Sequence, residues 1–425
     1  MADSSQAPDS QDVERLAKAQ QQAVRQAQRE LNKVFETVYN MYDDPADIRD
    51  ALMDLIPAIA DKYGNVGSQA AAEWYDRMRA KWFSDDWQAV DDTVYTPDEK
   101  AMRATIRRLA GHLWSDEENG VEADPDVMLR GLRANMDKWV KAGGRATIQR
   151  AVSKDPRRPR FARVPQGPTC GFCLMLASRG FVYSSAEAAG GDMNDYHNDC
   201  DCEPVPSWDK KNPKIEGYDP DKFYKQYQAC RSTVEDLLTE DRYQKTYVDT
   251  FVPKYDDDKP KSFDQWVARQ IAAEMDWRDR QWLYDGIEPT IEFVNEEVKK
   301  DTEDNRPQEI RTAERMRKHG VKPYFKVDFK EVENPGTHVI ERVGLADWAG
   351  GIEIKTPDRA RSFRSIDGYL GSAGKKPDAI RLIIDNTENP NMTDDQLKEF
   401  ILQSHRFHRG TVYILTKEQE FIRIK

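Results

Sequence analysis

Along the first third of the chain, apolar residues recur at the three-and-four spacing of a helix that buries one face. From about Val13 to Tyr42 the stripe is Leu31, Val34, Phe35, Val38 and Met41. The same pattern predicts helices over 45–63, 67–83, 97–117 and 125–153. Asp44-Pro45 and Thr96-Pro97 supply N-terminal caps. Trp74, Tyr75, Trp82, Trp87 and Trp114 read as helix-bundle core and not as a ligand box. Residues 1–20 are expected to be disordered, being rich in Ser, Gln, Asp and Ala with no apolar period. The helical pattern breaks over 154–168, a basic stretch with four prolines that reads as an extended connector. It returns at about 219–248 and 262–283. Residues 295–308 are highly charged and read as a linker or exposed helix end.

Beyond about residue 303 the pattern changes to short β-branched runs at 323–332, 337–346, 352–356, 379–385, 411–415 and 420–424. Helices are expected near 308–319 and 393–405. The reading is a multidomain chain: a mostly α-helical N-terminal part with a Cys/His zinc-type module, then a C-terminal α/β domain. The expected divisions are 1–20, a helical domain over 21–153, the Cys/His module over 154–210, a helical segment and linker over 211–302, and the α/β domain over 303–425.

Length and charge sharpen this picture. A chain of 425 residues exceeds what one compact core usually holds. With 38% hydrophobic and 33% charged residues it has long solvated faces. No apolar run approaches the roughly 20 residues of a membrane span, and no apolar leader is visible near Met1. The net charge of −12 is uneven. Residues 303–425 hold 22 Lys+Arg against 20 Asp+Glu, and the rest holds 42 against 56. The acidic remainder is a poor general nucleic-acid binder, whereas the C-terminal segment is compatible with a polyanionic substrate.

Four of the five cysteines lie within 33 residues. Cys170-x2-Cys173 is a knuckle that presents two thiolates from one turn, and His197, Cys200 and Cys202 offer the remaining ligands of a closed, structural zinc site. Five candidates compete for four tetrahedral places, and disulfide pairing is the competing reading. Cys230 reads as a small buried hydrophobe.

The run from Arg163 through Cys170-Gly-Phe-Cys173 to Tyr183, followed by Tyr196-His-Asn-Asp-Cys-Asp-Cys202, resembles the minor head proteins of tailed phages, the Mu F-like group, over roughly 20–240. The resemblance implies a structural role in head assembly, with portal and capsid proteins as partners and a virion or bacterial cytoplasmic location. Some relatives are labelled maturation proteases, but no Ser/His/Asp or Cys/His arrangement here supports proteolysis.

The segment Gly344–Pro357 places Asp347, Glu353 and Lys355 around a glycine turn. Two carboxylates and an amine on one sheet face suit a metal-dependent phosphodiesterase, the carboxylates holding Mg²⁺. A two-residue loop Gly350-Gly351 would set Asp347 and Glu353 on opposite faces, and a three-residue loop Ala349–Gly351 would pair them. The pattern resembles the PD-(D/E)xK nuclease superfamily, and 303–425 looks like the tRNA nuclease domain of CdiA-type contact-dependent inhibition toxins. That resemblance implies a restriction-endonuclease-like fold, tRNA as substrate and an immunity protein as partner. It assigns the helix carboxylate to Glu314, with Glu309 as a weaker contender. Lys375, Lys376, Arg359, Arg361 and Arg364 are candidate phosphate contacts. A rival reading is metal-free cleavage by His405 and His408, expected at a helix end. Two further alternatives are a degenerate nuclease fold with a purely structural role, and a DNA nuclease acting at the portal.

Overall fold

The computed structural model describes residues 6–90, 93, 95, 97–115, 122–167, 170–185, 200–211, 213–250, 262–333 and 340–425. The chain divides into two compact units. One comprises Met1–Thr169 with Leu176–Pro220, the other Cys170–Met175 with Asp221–Lys425.

The first unit is built on α1 (Ser10–Met41), α2 (Pro45–Arg79), α3 (Glu99–Ala110) and α4 (Pro125–Lys154). Helix α1 starts well inside the stretch expected to be disordered. Asp9 caps it in a reciprocal pair with Asp12, and Val13, Leu16 and Gln20 are buried. The polar composition that suggested disorder belongs to the helix's solvent face; its buried positions are few but correctly spaced.

Helix α2 runs unbroken through Pro57, Gly64 and Gly67, where two helices were expected. The glycines mark contact and not a break. A Cβ on Gly143 of α4 would lie 2.3 Å from the Gly64 carbonyl, and one on Gly144 would strike the Gln20 side chain. Gln20 in turn donates to the Gly67 carbonyl at 3.0 Å. The bundle core is Leu31, Leu52, Ile56, Ile106, Leu132 and Met136, with their neighbours.

At the C-terminal end of α4, buried Asp155 gathers three donors on Oδ2: the Tyr75 hydroxyl at 3.0 Å, Arg79 Nε at 3.0 Å and Trp208 Nε1 at 2.9 Å. The supposed connector over 154–168 is a strand in its middle. β1 (Arg160–Val164) pairs antiparallel with β2 (Glu203–Ser207), Arg160 opposite Ser207. The prolines that suggested a connector flank β1 and do not interrupt it. Pro204 and Pro206 lack N–H groups, which a two-stranded ribbon tolerates. Between the strands lies α5 (Gly171–Ala177).

The second unit opens with α6 (Pro220–Val234), α7 (Glu240–Tyr243), α8 (Phe263–Asp276), α9 (Arg280–Asp285), β3 (Glu292–Phe293) and α10 (Glu296–Asn305). It continues with α11 (Pro307–Arg317), β4 (Tyr324–Phe325), β5 (Phe329–Glu333), β6 (Ile340–Gly344) and β7 (Ile352–Lys355). Last come α12 (Phe363–Lys375), β8 (Arg381–Asp385), α13 (Asp394–Gln403), β9 (Thr411–Leu415) and β10 (Phe421–Arg423). The main sheet has the order β10-β9-β8-β7, with β7, β8 and β9 parallel and β10 antiparallel. Single bridges from Trp348 to Ile352 and to Phe325 extend it towards β4, which pairs parallel with β3.

Parallel strands need crossover helices, and α12 and α13 supply them. Residues on the two sheet faces alternate, as the period of two requires. Leu382 and Ile384 pack with Ile366, Leu370, Leu397 and Ile401. Ile383 instead packs with Ala313, Met316, Ile354 and Tyr413. The result is an α/β unit that follows the helical one along the chain.

The boundary expected near 303 falls within this unit, because α8 is tied to the sheet. Glu274 of α8 accepts from the Tyr413 hydroxyl of β9 at 3.1 Å and from Trp277 Nε1 at 2.9 Å, and pairs with Arg278 at 2.5 Å. Both members of the ion pair are about 1% exposed. Sequence patterning could not show this tie, since a single Glu on a helix looks solvated until its partners are placed.

Replacing Glu274 by Ala strands the Arg278 guanidinium in the interior. The second unit should lose about 3–5 kcal/mol of stability, read as faster amide exchange across β9 in the full chain. A loss too small to change that exchange would show the pair to be dispensable.

Candidate carboxylate–lysine site

Trp348 N–H donates to the Ile352 carbonyl at 2.9 Å, so the turn between them is the three-residue loop Ala349-Gly350-Gly351. Both glycines have positive φ, 73° and 70°. At Gly351 space also demands glycine, since a Cβ would sit 2.4 Å from the Asp378 carbonyl. This loop sets Asp347 across from Glu353. Asp347 Oδ2 accepts from Ile354 N–H at 2.8 Å, which fixes the carboxylate. Asp378 steadies the incoming strand by accepting from Ala346 N–H at 2.8 Å.

The two carboxylates meet at Lys376. Its Nζ lies 3.1 Å from Asp347 Oδ1 and 2.7 Å from Glu353 Oε2. Lys355 Nζ lies 2.5 Å from Glu353 Oε1. Glu353 is fully buried and Asp347 nearly so. Burial, then the neighbouring Asp347 charge, push the Glu353 carboxyl above its ordinary range, against the pull of Lys355 and Lys376. Burial lowers Lys376, but the two carboxylates outweigh it and its ammonium is held more firmly than usual. Arg409 donates to the Gly374 and Lys376 carbonyls at 2.8 and 2.6 Å, fixing the backbone from which Lys376 reaches in.

The third carboxylate is not Glu314. Glu314 is exposed and pairs with Arg317 at 3.1 Å on the outside of α11. Glu309, one and a half turns earlier, faces the pair. Burial, then the Asp347 charge, raise its carboxyl to about 7, while Arg306 and Lys355 act against them. The register of α11 decides between the two: Glu309 lies in the first turn after Pro307, four residues before buried Ala313 and so on the same face.

Of the other candidates, Lys375 ends α12 and is exposed, and Arg361 and Arg364 are exposed. Arg359 is 90% exposed with only Asp358 near it, at 3.7 Å. None of these four is brought to the cluster. His405 and His408 lie beyond the end of α13 at Gln403, both exposed, and not in the helix end where protonation was expected to be favoured.

The sulfur atoms of Cys173, Cys200 and Cys202 lie within 4.8 Å of one another, all buried, a group that could hold a metal ion. Among the described residues it is the only group of three or more potential ligands that close. Cys170 is half-buried and its sulfur accepts from Cys173 N–H at 3.4 Å, as in a knuckle turn. His197 lies outside the described residues. No disulfide joins the five cysteines. Arg145 donates to the Cys200 and Cys202 carbonyls at 2.5 and 3.2 Å, so buried cationic side chains fix this loop's backbone.

The chain is thus a two-part protein, a helical unit followed by an α/β unit that carries a buried carboxylate–lysine cluster. The model of the VG15 protein family matches residues 7–230, just over half of the chain. The chain belongs to the VG15 family, a viral (phage) protein family. No curated protein and no solved structure gives a significant match. Among the described residues, no helix is long and apolar enough to cross a membrane.

Glu309 gives the site a pH signature in the absence of added divalent cation. Its carboxyl titrates at about 7 folded and at an ordinary 4.5 unfolded, so between those values the folded chain holds a proton that the unfolded chain releases. Stability therefore falls as pH rises from 4.5 to 7, and the full penalty is present above 7. Glu309→Gln should stabilise the second unit by about 3 kcal/mol at pH 8 and by almost nothing at pH 4.5. Urea melts at the two pH values measure this, and an equal effect at both would place Glu309 away from the pair.

Proposed function

We propose that this VG15-family chain is a phage minor head protein whose C-terminal α/β unit is a metal-dependent nuclease acting on tRNA. The observation that carries the nuclease reading is the pairing of Asp347 with Glu353 across a three-residue loop, with Lys355 on Glu353. The head-protein reading rests on the family match and on the Cys170–Cys202 motif.

The donor set suits a hard divalent cation. Two buried carboxylates already share one cation, the Lys376 ammonium, and Mg²⁺ commonly takes only one or two protein carboxylates and keeps water on its other positions. Asp347 and Glu353 would hold it, with Glu309 beside them. When bound, such an ion polarises phosphate oxygens and lowers the pKa of water. The chain's own residues do the rest. The Ile354 N–H orients Asp347, and Lys355 stands where its ammonium can position the nucleophile or answer charge developing on the phosphate. The order helix carboxylate, Asp, Glu-x-Lys, then parallel strands joined by helices supports a restriction-endonuclease-like reading of the fold. Cleavage of tRNA in a target cell would make the unit a toxin, for which the producing cell needs an immunity partner.

The buried thiols supply the other cation site. Soft thiolate ligands favour zinc, and a closed site would be structural. Cys173, Cys200 and Cys202 would be ligands, with the fourth from Cys170 or His197.

Two experiments test these readings. Full-length protein with Mg²⁺ should cleave total tRNA, and Asp347→Ala and Lys355→Ala should each lower the rate by roughly 10²-fold or more. Unchanged cleavage in both variants would refute the site. Cutting of plasmid but not tRNA would move the substrate to DNA, and failure to cut either would leave a structural role for the unit. Elemental analysis of the purified chain should give one zinc per molecule, lost in Cys200→Ser; a zinc-free, fully folded chain would remove the metal clip.

A further inference from the structure

In the first unit a cavity of about 780 Å³ opens between the end of α4, β1 and the segment after β2. We propose that it binds the phosphate of a nucleotide, either free or within a strand of nucleic acid. The proposal is independent of the nuclease reading, which concerns the other unit.

Three cations line the cavity: Arg158, Arg160 and Lys210. Among the described residues none of the three has an ion-pair partner, in a chain whose net charge is −12. Three basic side chains without an ion pair thus line a single space. One acid, Asp209, shares the lining and leaves an excess of two positive charges.

Their placement is built. Arg158 has φ +52°, a conformation that costs a non-glycine residue energy. It is held there by Asp155, whose carbonyl accepts from Arg158 N–H at 2.9 Å and whose Oδ1 accepts from Arg157 N–H at 2.8 Å. Asp155 is itself fixed by Tyr75, Arg79 and Trp208. A turn clamped by a buried carboxylate therefore presents the Arg158 guanidinium, and the next residue but one begins β1.

The remaining lining matches a nucleotide more closely than a bare anion. Ser184 is exposed in the cavity wall and offers a hydroxyl. Phe181 is half-buried in the cavity lining, its ring nearly perpendicular to that of Tyr218 with centroids 6.0 Å apart, and supplies an aromatic side chain of the kind that stacks on a base. Cations and hydroxyls for phosphate with an aromatic face for the base are the usual parts of a sequence-tolerant nucleic-acid site. Ligand sites commonly enclose about 300–1,000 Å³, and this one falls within that range.

The test uses the full chain carrying Lys355→Ala, so that the second unit leaves the probe intact. Two probes are titrated at several salt concentrations: ATP, and a labelled single-stranded DNA of about twelve nucleotides. Binding of either supports the proposal. Affinity that rises with strand length identifies a strand, and tighter binding of ATP identifies a free nucleotide. With three phosphate contacts the strand's log–log salt slope should be about −2. The decisive variant adds Arg158→Gly, which removes the cation while giving the backbone a residue that accepts positive φ. Affinity should fall roughly tenfold, with no drop in melting temperature. Arg49→Ala, which removes a half-buried cation outside the cavity, should leave affinity unchanged. The proposal is overturned if neither probe binds, or if Arg49→Ala weakens binding as much as Arg158→Gly does.

Discussion

Two carboxylates buried side by side must be answered by positive charge, and much of the second unit is arranged around that requirement. Asp347 and Glu353 sit in a low-dielectric interior where a lone carboxylate is costly and a pair is worse. The chain answers with two ammonium groups, one from β7 itself and one from the end of α12. A unit built only for stability would place apolar residues here, as it does at the neighbouring Ile352 and Ile354. Keeping charges at a structural cost is the usual mark of a site that has work to do, and strongly shifted carboxyls in a cluster point the same way.

The lysines are not equivalent. Lys355 reaches only Glu353, whereas Lys376 touches both carboxylates and so stands where a shared cation belongs. In the proposed enzyme a divalent ion would compete with that ammonium. On that reading Lys376 would act as a substitute that keeps the pair tolerable in the absence of the metal. The backbone around Lys376 is fixed by Arg409, so the exchange would ask only its side chain to move.

How far the sequence carried the reading can be judged residue by residue. The helical and strand-rich halves were legible because period 3.6 and period 2 are local properties of the chain, and so was a glycine turn after Asp347. The length of that turn, two residues or three, decides whether Asp347 faces Glu353, and only the Trp348–Ile352 bridge fixes it. What was not legible depended on placement. Glu314 and Glu309 are both acids on one helix, and only the packing of Ala313 and Met316 says which of them turns inward. Lys376 looked like a phosphate contact because nothing local ties it to a carboxylate 23 residues earlier. A break was expected between 63 and 67 because the groups that need small residues there, Tyr95 at Gly64 and Gln20 at Gly67, lie far along the chain. The start of α1 was masked by polar residues on its exposed face.

The two candidate cation sites differ in a way that would keep their metals apart. Cys173, Cys200 and Cys202 offer buried soft sulfur with arginine donors fixing the intervening carbonyls, whereas Asp347 and Glu353 offer hard oxygen already occupied by lysine. A neutral thiol carries no charge that an ammonium must answer, so the thiols can be buried without a lysine partner, and a metal bound there would itself draw out the thiolates. Zinc at the thiols would therefore belong to the folded chain from the start, while the carboxylate pair can fold with lysine alone and take its ion only later. That asymmetry suits the proposed division of labour, in which the chain serves in a phage head and its α/β unit acts elsewhere.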